Sequence, residues 1–142
     1  MNRRKKVTLA IIGLVAISAV GFTQIKQLIK IVGVGAAVKQ FSPQINKAIN
    51  DLSSHKDTVA LATKVVPILS IGLGKSSAVG AAQVMGPKKL VDTVTAVAQP
   101  ETELFGKEVR IRALIPVSST DVIKDIKRVD GVGVSGIVDL KL

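Results

Sequence analysis

The chain has 142 residues, which is enough for one domain and a targeting segment, and a hydrophobic content of 47% excludes disorder throughout. Cysteine is absent, which excludes disulfides, thiolate metal ligands and a cysteine nucleophile. The net charge of +10 lies towards the front of the chain, because residues 91–142 contain seven basic and eight acidic residues. Since the chain has only three Phe and no Trp or Tyr to stack on bases, the basic charge does not predict a nucleic-acid partner.

The first 22 residues have the pattern of a targeting segment. The basic cluster Arg3–Lys6 is followed by sixteen uncharged residues, Val7 to Phe22. A basic cluster stays in the cytoplasm, so we expect the rest of the chain on the non-cytoplasmic side of a membrane. As a helix, the uncharged run is about 24 Å long, somewhat shorter than a hydrocarbon core of about 30 Å. The sequence favours a signal anchor in residues 1–22. The alternative is a signal peptide cleaved after Gly21, which would leave a secreted or periplasmic protein.

Residues 23–57 form a basic amphipathic segment. Ile25, Leu28, Ile29 and Val32 recur at helical spacing, and Pro43 is predicted to start a second helix. The apolar face of that second helix is predicted to contain Ile45, Ala48, Ile49 and Leu52. One interpretation is that the segment binds anionic lipid headgroups through Lys26, Lys30, Lys39 and Lys47. The favoured interpretation is that its apolar face packs on the domain.

Residues 58–142 are predicted to form a small domain, which begins with a hairpin. Strands over Val65–Leu73 and Ala78–Met85 are joined by residues 74–77. A helix then follows Gly86 and ends at Pro100, and its apolar face consists of Leu90, Val91, Val94 and Val97.

Two more strands and one more helix complete the predicted domain. Glu108–Val117 alternates as a half-buried strand, and Ser118–Asp121 caps a helix with the apolar face Val122, Ile123, Ile126 and Val129. The last strand contains Val132, Val134, Val138 and Leu140. The two helices match after a shift of 32 residues, which makes a duplicated β-α unit a candidate. The predicted fold class is therefore α+β: an N-terminal hydrophobic helix, an amphipathic helix, and a single small sheet in the order β-β-α-β-α-β with its helices on one face.

Three motifs resemble functional sites but lack the context that those sites require. Gly131–Gly136 matches GxGxxG, but a strand, not a helix, is predicted after it. Gly74–Ser76 resembles the end of a phosphate-binding loop, but the residues that follow are predicted to be extended. His55 lies beside Ser53, Ser54 and Asp57 on one polar loop, whereas triads combine separate elements. The sequence therefore predicts no catalytic, cofactor or metal site.

Arg110 and Arg112 are the best candidates for a binding site. They lie two residues apart on one strand, so both project from the same face of the sheet and can contact an anion or a protein partner. The alternative is a solvated face in which they pair with Asp139 or Glu108. The predicted function is that of a membrane-anchored or exported, non-catalytic envelope protein with a small interaction domain. Anionic-lipid binding is the alternative function, and the edges of the sheet also permit self-association.

Overall fold

The computed structural model describes residues 27, 29–30, 33–72, 75–120, 122 and 126–140. The predicted membrane segment and Lys26 lie outside this set. The elements in chain order are α1 (Val34–Ser53), β1 (Ala62–Gly72), β2 (Lys75–Gly86), α2 (Lys88–Val91), β3 (Ala96–Leu104), a 3-10 turn (Phe105–Lys107), β4 (Val109–Arg112), β5 (Ile115–Val117) and β6 (Gly133–Val138). The mixed α+β class is confirmed.

The strands form one mixed and strongly curled sheet. Its order is β4-β3-β1-β2-β6, and β5 also pairs with β3. β1 and β2 form the predicted antiparallel hairpin, but residues 75–77 belong to β2 and not to the turn. β3 runs parallel to β1 through the pairing of Ile68–Ile71 with Val97–Pro100. The last predicted strand is confirmed as β6, which pairs antiparallel with β2.

Helix α1 packs on one face of the sheet, as the favoured interpretation of the amphipathic segment predicted. Val38 is buried with Val65 of β1 and Ala81 of β2, and Ile45 and Ile49 pack against this cluster. The apolar face of α1 is therefore covered by protein.

The predicted helix start at Pro43 is wrong, because α1 begins at Val34 and continues through the proline. Gly33 precedes the helix with a φ of 91°, which a glycine adopts without strain. Pro43 is exposed, and the turns on both sides of it pack on the same sheet, which offsets the helix bond that proline removes. Leu52 is 88% exposed and does not belong to the packed face.

A polar network fastens α1 to the sheet. Gln83 of β2 is 1% exposed, and its amide nitrogen donates to the side-chain oxygens of Asn46 at 3.0 Å and Asn50 at 2.8 Å. Its amide oxygen accepts a 2.7 Å bond from the Ser135 hydroxyl of β6. Both asparagines also donate to the Thr63 hydroxyl of β1, at 3.0 and 2.9 Å. The network therefore joins one helix to three strands.

The opposite face of the sheet holds the second helix, α2. Val91 of α2 packs there with Val66, Val84, Val94 and Val97. The prediction that the helices after Gly86 and after Asp121 share a face is not confirmed, because the described residues contain only the first of them. The helix predicted between Gly86 and Pro100 is present only as α2, which ends at Val91, and β3 begins at Ala96. Leu90, Val91, Val94 and Val97 have helical spacing, but the β-branched residues of this run favour an extended chain. Pro100 is the partner of Ile71 within β3 and does not end a helix.

The predicted helix after Asp121 is also wrong in its described part. Val122 lies in a turn, and residues 126–129 are not helical. The backbone N–H of Ser118 donates to the carbonyl of Lys127 at 3.0 Å, and that of Val129 donates to the carbonyl of Pro116 at 2.9 Å. This segment therefore runs beside β5. The duplicated β-α unit is not present in the residues described, and residues 121 and 123–125 lie outside them.

We expect Gln83→Met to lower the free energy of unfolding by about 1–3 kcal/mol, because the side-chain oxygens of the half-buried Asn46 and Asn50 lose their donor. Urea denaturation of the variant and the wild type measures this difference. The matched control is Gln44→Met, at an exposed position of α1, and it should leave the free energy nearly unchanged. Equal effects of the two substitutions would contradict a fastening role for the network.

Candidate functional site: the concave face of the sheet

The candidate arginines lie on a β-hairpin, which we call the arm and define as Glu101–Arg112. In its register Glu101 faces Arg112, Thr102 faces Ile111, Glu103 faces Arg110 and Leu104 faces Val109. Because cross-strand partners share a face, the arm has one charged face and one largely apolar face. Arg110 and Arg112 lie on the same charged face, as their spacing predicted.

The prediction that this strand is half-buried is wrong over β4. All four of its residues are exposed, including Val109 and Ile111. The reason is that β1 pairs with β3 only as far as Pro100. Beyond that residue, no described element covers the apolar face of the arm. Burial resumes at Ile115, where β5 rejoins the core.

Arg110 forms an ion pair with Glu101, not with the predicted alternatives Asp139 or Glu108. Its Nε and Nη2 atoms both lie 2.7 Å from Oε1 of Glu101, diagonally across the two strands. The hydrogen bond from Arg110 is the main cause that holds the pKa of Glu101 below its ordinary value of 4.5, and the charges of Arg110 and Arg112 lower the pKa further. The same hydrogen bond raises the pKa of Arg110.

The charged face of the arm forms one wall of a groove of about 760 Å³ on the concave side of the sheet. The curl of the sheet brings residues of β1, β2, β3, β4 and β6 around this one space. Its apolar lining is Ile68, Val79, Leu114, Ile137 and Val138, and its polar lining is Ser70, Gln99, Glu101, Arg110, Arg112 and Asp139. Helix α1 covers the other face of the sheet, and α2 packs near the open end of the β1–β2 hairpin, against Val66 and Val84. The groove is therefore uncovered in the part of the chain that the structure describes.

Gln99 lies on the floor of the groove and was missed by the sequence analysis. Gln99 is only 8% exposed, yet its side-chain amide makes no hydrogen bond within the described residues. The sequence signal that could have identified Gln99 is the two-residue period of a strand, which places on one face Val97, Gln99, Glu101 and Glu103. That signal was hidden because the valines of the same segment also fit a helical spacing.

Three of the four predicted lipid-contact lysines lie in the described residues. Lys30 and Lys39 are exposed, whereas Lys47 is bound to Asp51 at 2.8 Å on the same helix. Lys26 lies outside the described residues. The apolar face between these lysines is packed on the sheet, so headgroup contact through α1 would be electrostatic only.

The other motifs have structural roles. Gly131 forms a turn with a φ of 88°, and Gly133 and Gly136 lie in β6, so no helix N-terminus follows the GxGxxG pattern. Lys75 and Ser76 lie in β2, where a phosphate-binding loop would need a helix. His55 is half-buried rather than solvated: its Nε2 atom lies 3.0 Å from the carbonyl oxygen of Leu61 and 3.3 Å from Asp57.

The described residues contain neither a cluster of metal ligands nor a membrane-spanning helix. No three His, Asp or Glu side chains converge there as metal ligands. Among the helices described, none is both long and apolar enough to cross a membrane.

Comparisons with protein-family models, curated proteins and solved structures found no match for this chain.

We expect the carboxyl group of Glu101 to titrate below 4.5, and Arg110→Gln to raise its pKa because the main hydrogen bond is lost. Arg112→Gln should raise it less, since Arg112 acts through charge alone. Carboxyl carbon NMR during a pH titration measures both. Because the pKa of Glu101 is lowered in the folded state, the ion pair stabilises the arm at pH values above the ordinary pKa of a glutamate. This contribution is lost as the pH falls through the lowered pKa. An unchanged pKa in Arg110→Gln would contradict the ion pair.

Proposed function

We propose that this chain is a non-catalytic binding protein of a membrane surface. An anchor within residues 1–22 holds the α+β domain on the non-cytoplasmic side, and the concave face of the sheet is the contact surface. The membrane assignment is supported by the charge pattern of Arg3–Lys6 and Val7–Phe22. The contact surface is supported by a single observation: Arg110 and Arg112 line a groove of about 760 Å³ that no described element covers.

The groove has the composition of a binding surface. It combines exposed aliphatic side chains, such as Ile137 at 59% exposure, with arginines and a buried amide. Apolar lining with a few placed polar groups is characteristic of binding clefts, and arginine is enriched among interface residues. The arginines and the amide of the groove are hydrogen-bond donors suited to holding a ligand, so the proposal is one of binding.

A photo-crosslinking pair tests the contact surface in cells that express the full chain. Ile137→p-benzoylphenylalanine places the probe in the groove, and Leu52→p-benzoylphenylalanine places it on the exposed side of α1. We expect membrane-dependent adducts from position 137 and none from position 52, because only the former lines the contact surface. Adding Arg110→Ala and Arg112→Ala should reduce the adducts at 137. Equal adducts from both positions would refute a specific surface.

Anionic-lipid binding through the basic segment is the second candidate. The observation in its favour is that Lys30 and Lys39 are exposed and have no ion-pair partner among the residues described. Because the apolar face of α1 is buried, this binding would depend on charge and weaken with salt.

A liposome experiment tests this candidate with a chain that begins at Thr23. If the segment binds headgroups, replacing Lys26, Lys30, Lys39 and Lys47 with Gln should weaken binding to anionic liposomes by about 1 kcal/mol for each lysine. The control replaces four exposed lysines elsewhere, Lys56, Lys88, Lys89 and Lys107. Equal losses in the two variants would show attraction by net charge alone and would exclude a dedicated lipid site.

A further inference from the structure

The amide of Gln99 is the feature of the groove that fold stability does not explain. Buried polar groups in native proteins almost always have hydrogen-bond partners, since an unpaired buried amide destabilises the fold. The amide of Gln83 on the other face satisfies this rule with three bonds. Gln99 is nearly as buried, lines the groove, and has no side-chain partner among the described residues. An amide in this state is available to a ligand in the groove.

Two more donors lie beside Gln99 on the same face. Ser70 is its register partner on β1, and the Ser70 hydroxyl also makes no side-chain bond within the described residues. Arg112 is the partner of Glu101, two residues further along β3. A diagonal neighbour of this kind lies about 7–8 Å away, within reach of a long side chain. A guanidinium, an amide and a hydroxyl therefore face one region of the groove.

The charges around this region favour an anion there. The carboxylate of Glu101 is already bound by Arg110 at 2.7 Å, so the charges of these two residues compensate each other. Arg112 has no ion-pair partner in the described part of the chain. Asp139 follows β6, at the opposite edge of the sheet from β4. Because the sheet is curled, Asp139 lines the same groove, but it forms no ion pair with Arg112 in the described part of the chain.

The rest of the groove suits an aliphatic chain. Ile68, Val79, Leu114 and Ile137 line it, and Val79 and Ile137 are exposed in the structure. Among the described residues no aromatic side chain lines the groove, so the described lining offers no stacking contact. A volume of about 760 Å³ accommodates a small amphiphile, since ligand clefts measure about 300–1,000 Å³.

We propose that the groove binds an amphiphile with one anionic head, a carboxylate or a phosphate monoester, and an aliphatic tail. Arg112, Gln99 and Ser70 donate hydrogen bonds to the head, and the aliphatic side chains of the groove contact the tail. This assignment rests on the proposed contact surface and specifies the chemistry of what binds there.

The experiment uses the full chain in nanodiscs of zwitterionic lipid, with empty nanodiscs to measure partition of each probe into lipid. The probes are decanoate and decyl phosphate, with decanol, acetate and inorganic phosphate as comparisons. The side-chain amide resonance of Gln99 reports binding. We expect decanoate or decyl phosphate to shift this resonance saturably, and decanol, acetate and inorganic phosphate to bind at least about ten-fold more weakly, since a charged hydrogen bond and the tail each contribute that much.

Three variants locate the head. Arg112→Gln should weaken binding of the anionic amphiphile about 10- to 100-fold, and Gln99→Leu about 3- to 10-fold, as expected for charged and neutral hydrogen bonds. Arg128→Gln is the control, because Arg128 is an exposed arginine outside the groove, and it should leave affinity unchanged. Gln99→Leu should also raise the Tm of the ligand-free protein, whereas a merely structural Gln99 would give a lower Tm.

The outcomes separate this inference from the proposed function. Equal binding of decanol and decanoate, or unchanged affinity in Arg112→Gln, would overturn the anionic-head assignment. Inorganic phosphate that binds as tightly as decyl phosphate would overturn the role of the tail. If no probe binds while the crosslinking contrast between positions 137 and 52 persists, the ligand class is wrong and the contact surface stands. If that contrast is also absent, both proposals fail.

Discussion

The amide of Gln83 is the constraint on which the arrangement of helix and sheet depends. The apolar contacts between α1 and the sheet involve Val, Ile and Ala, whose attraction has no direction. The hydrogen bonds of Gln83 to Asn46, Asn50 and Ser135 do have direction, and they fix α1 at one position along the sheet. Since the amide is buried, any sliding of the helix would leave these groups without partners.

With α1 fixed on one face, the curled sheet leaves part of its other face open. The valines around Val91 fill the end of that face near α2, and the remainder becomes the groove. Two buried glutamines on opposite faces of the sheet differ in their hydrogen-bond partners. Gln83 has its partners within the fold, whereas Gln99 faces the groove with none among the described residues. The same residue type therefore has its hydrogen bonds satisfied on one face of the sheet and has no described partner on the other.

The arm extends this open face beyond the core. Its register separates charged from apolar side chains, so that Arg110 and Arg112 lie on the groove side while Val109 and Ile111 lie on the outer side. The ion pair between Arg110 and Glu101 orients one arginine and leaves Arg112 without an ion-pair partner within the described residues. The exposed residues of the arm therefore lie where β3 and β4 extend past the part of β3 that pairs with β1.

The sequence by itself determined the features that depend on local pattern. The β1–β2 hairpin, the strand at β6, the packing of the amphipathic helix and the shared face of Arg110 and Arg112 all follow from periodicity and turn residues. The short α2, the strand at β3 and the course of residues 126–129 were decided by pairing with distant strands, because valine-rich runs fit helical and extended spacing equally well. The partner of Arg110, the open groove and the unpaired amide of Gln99 were also decided by tertiary structure, since they depend on the curl of the sheet and on which surfaces the helices cover.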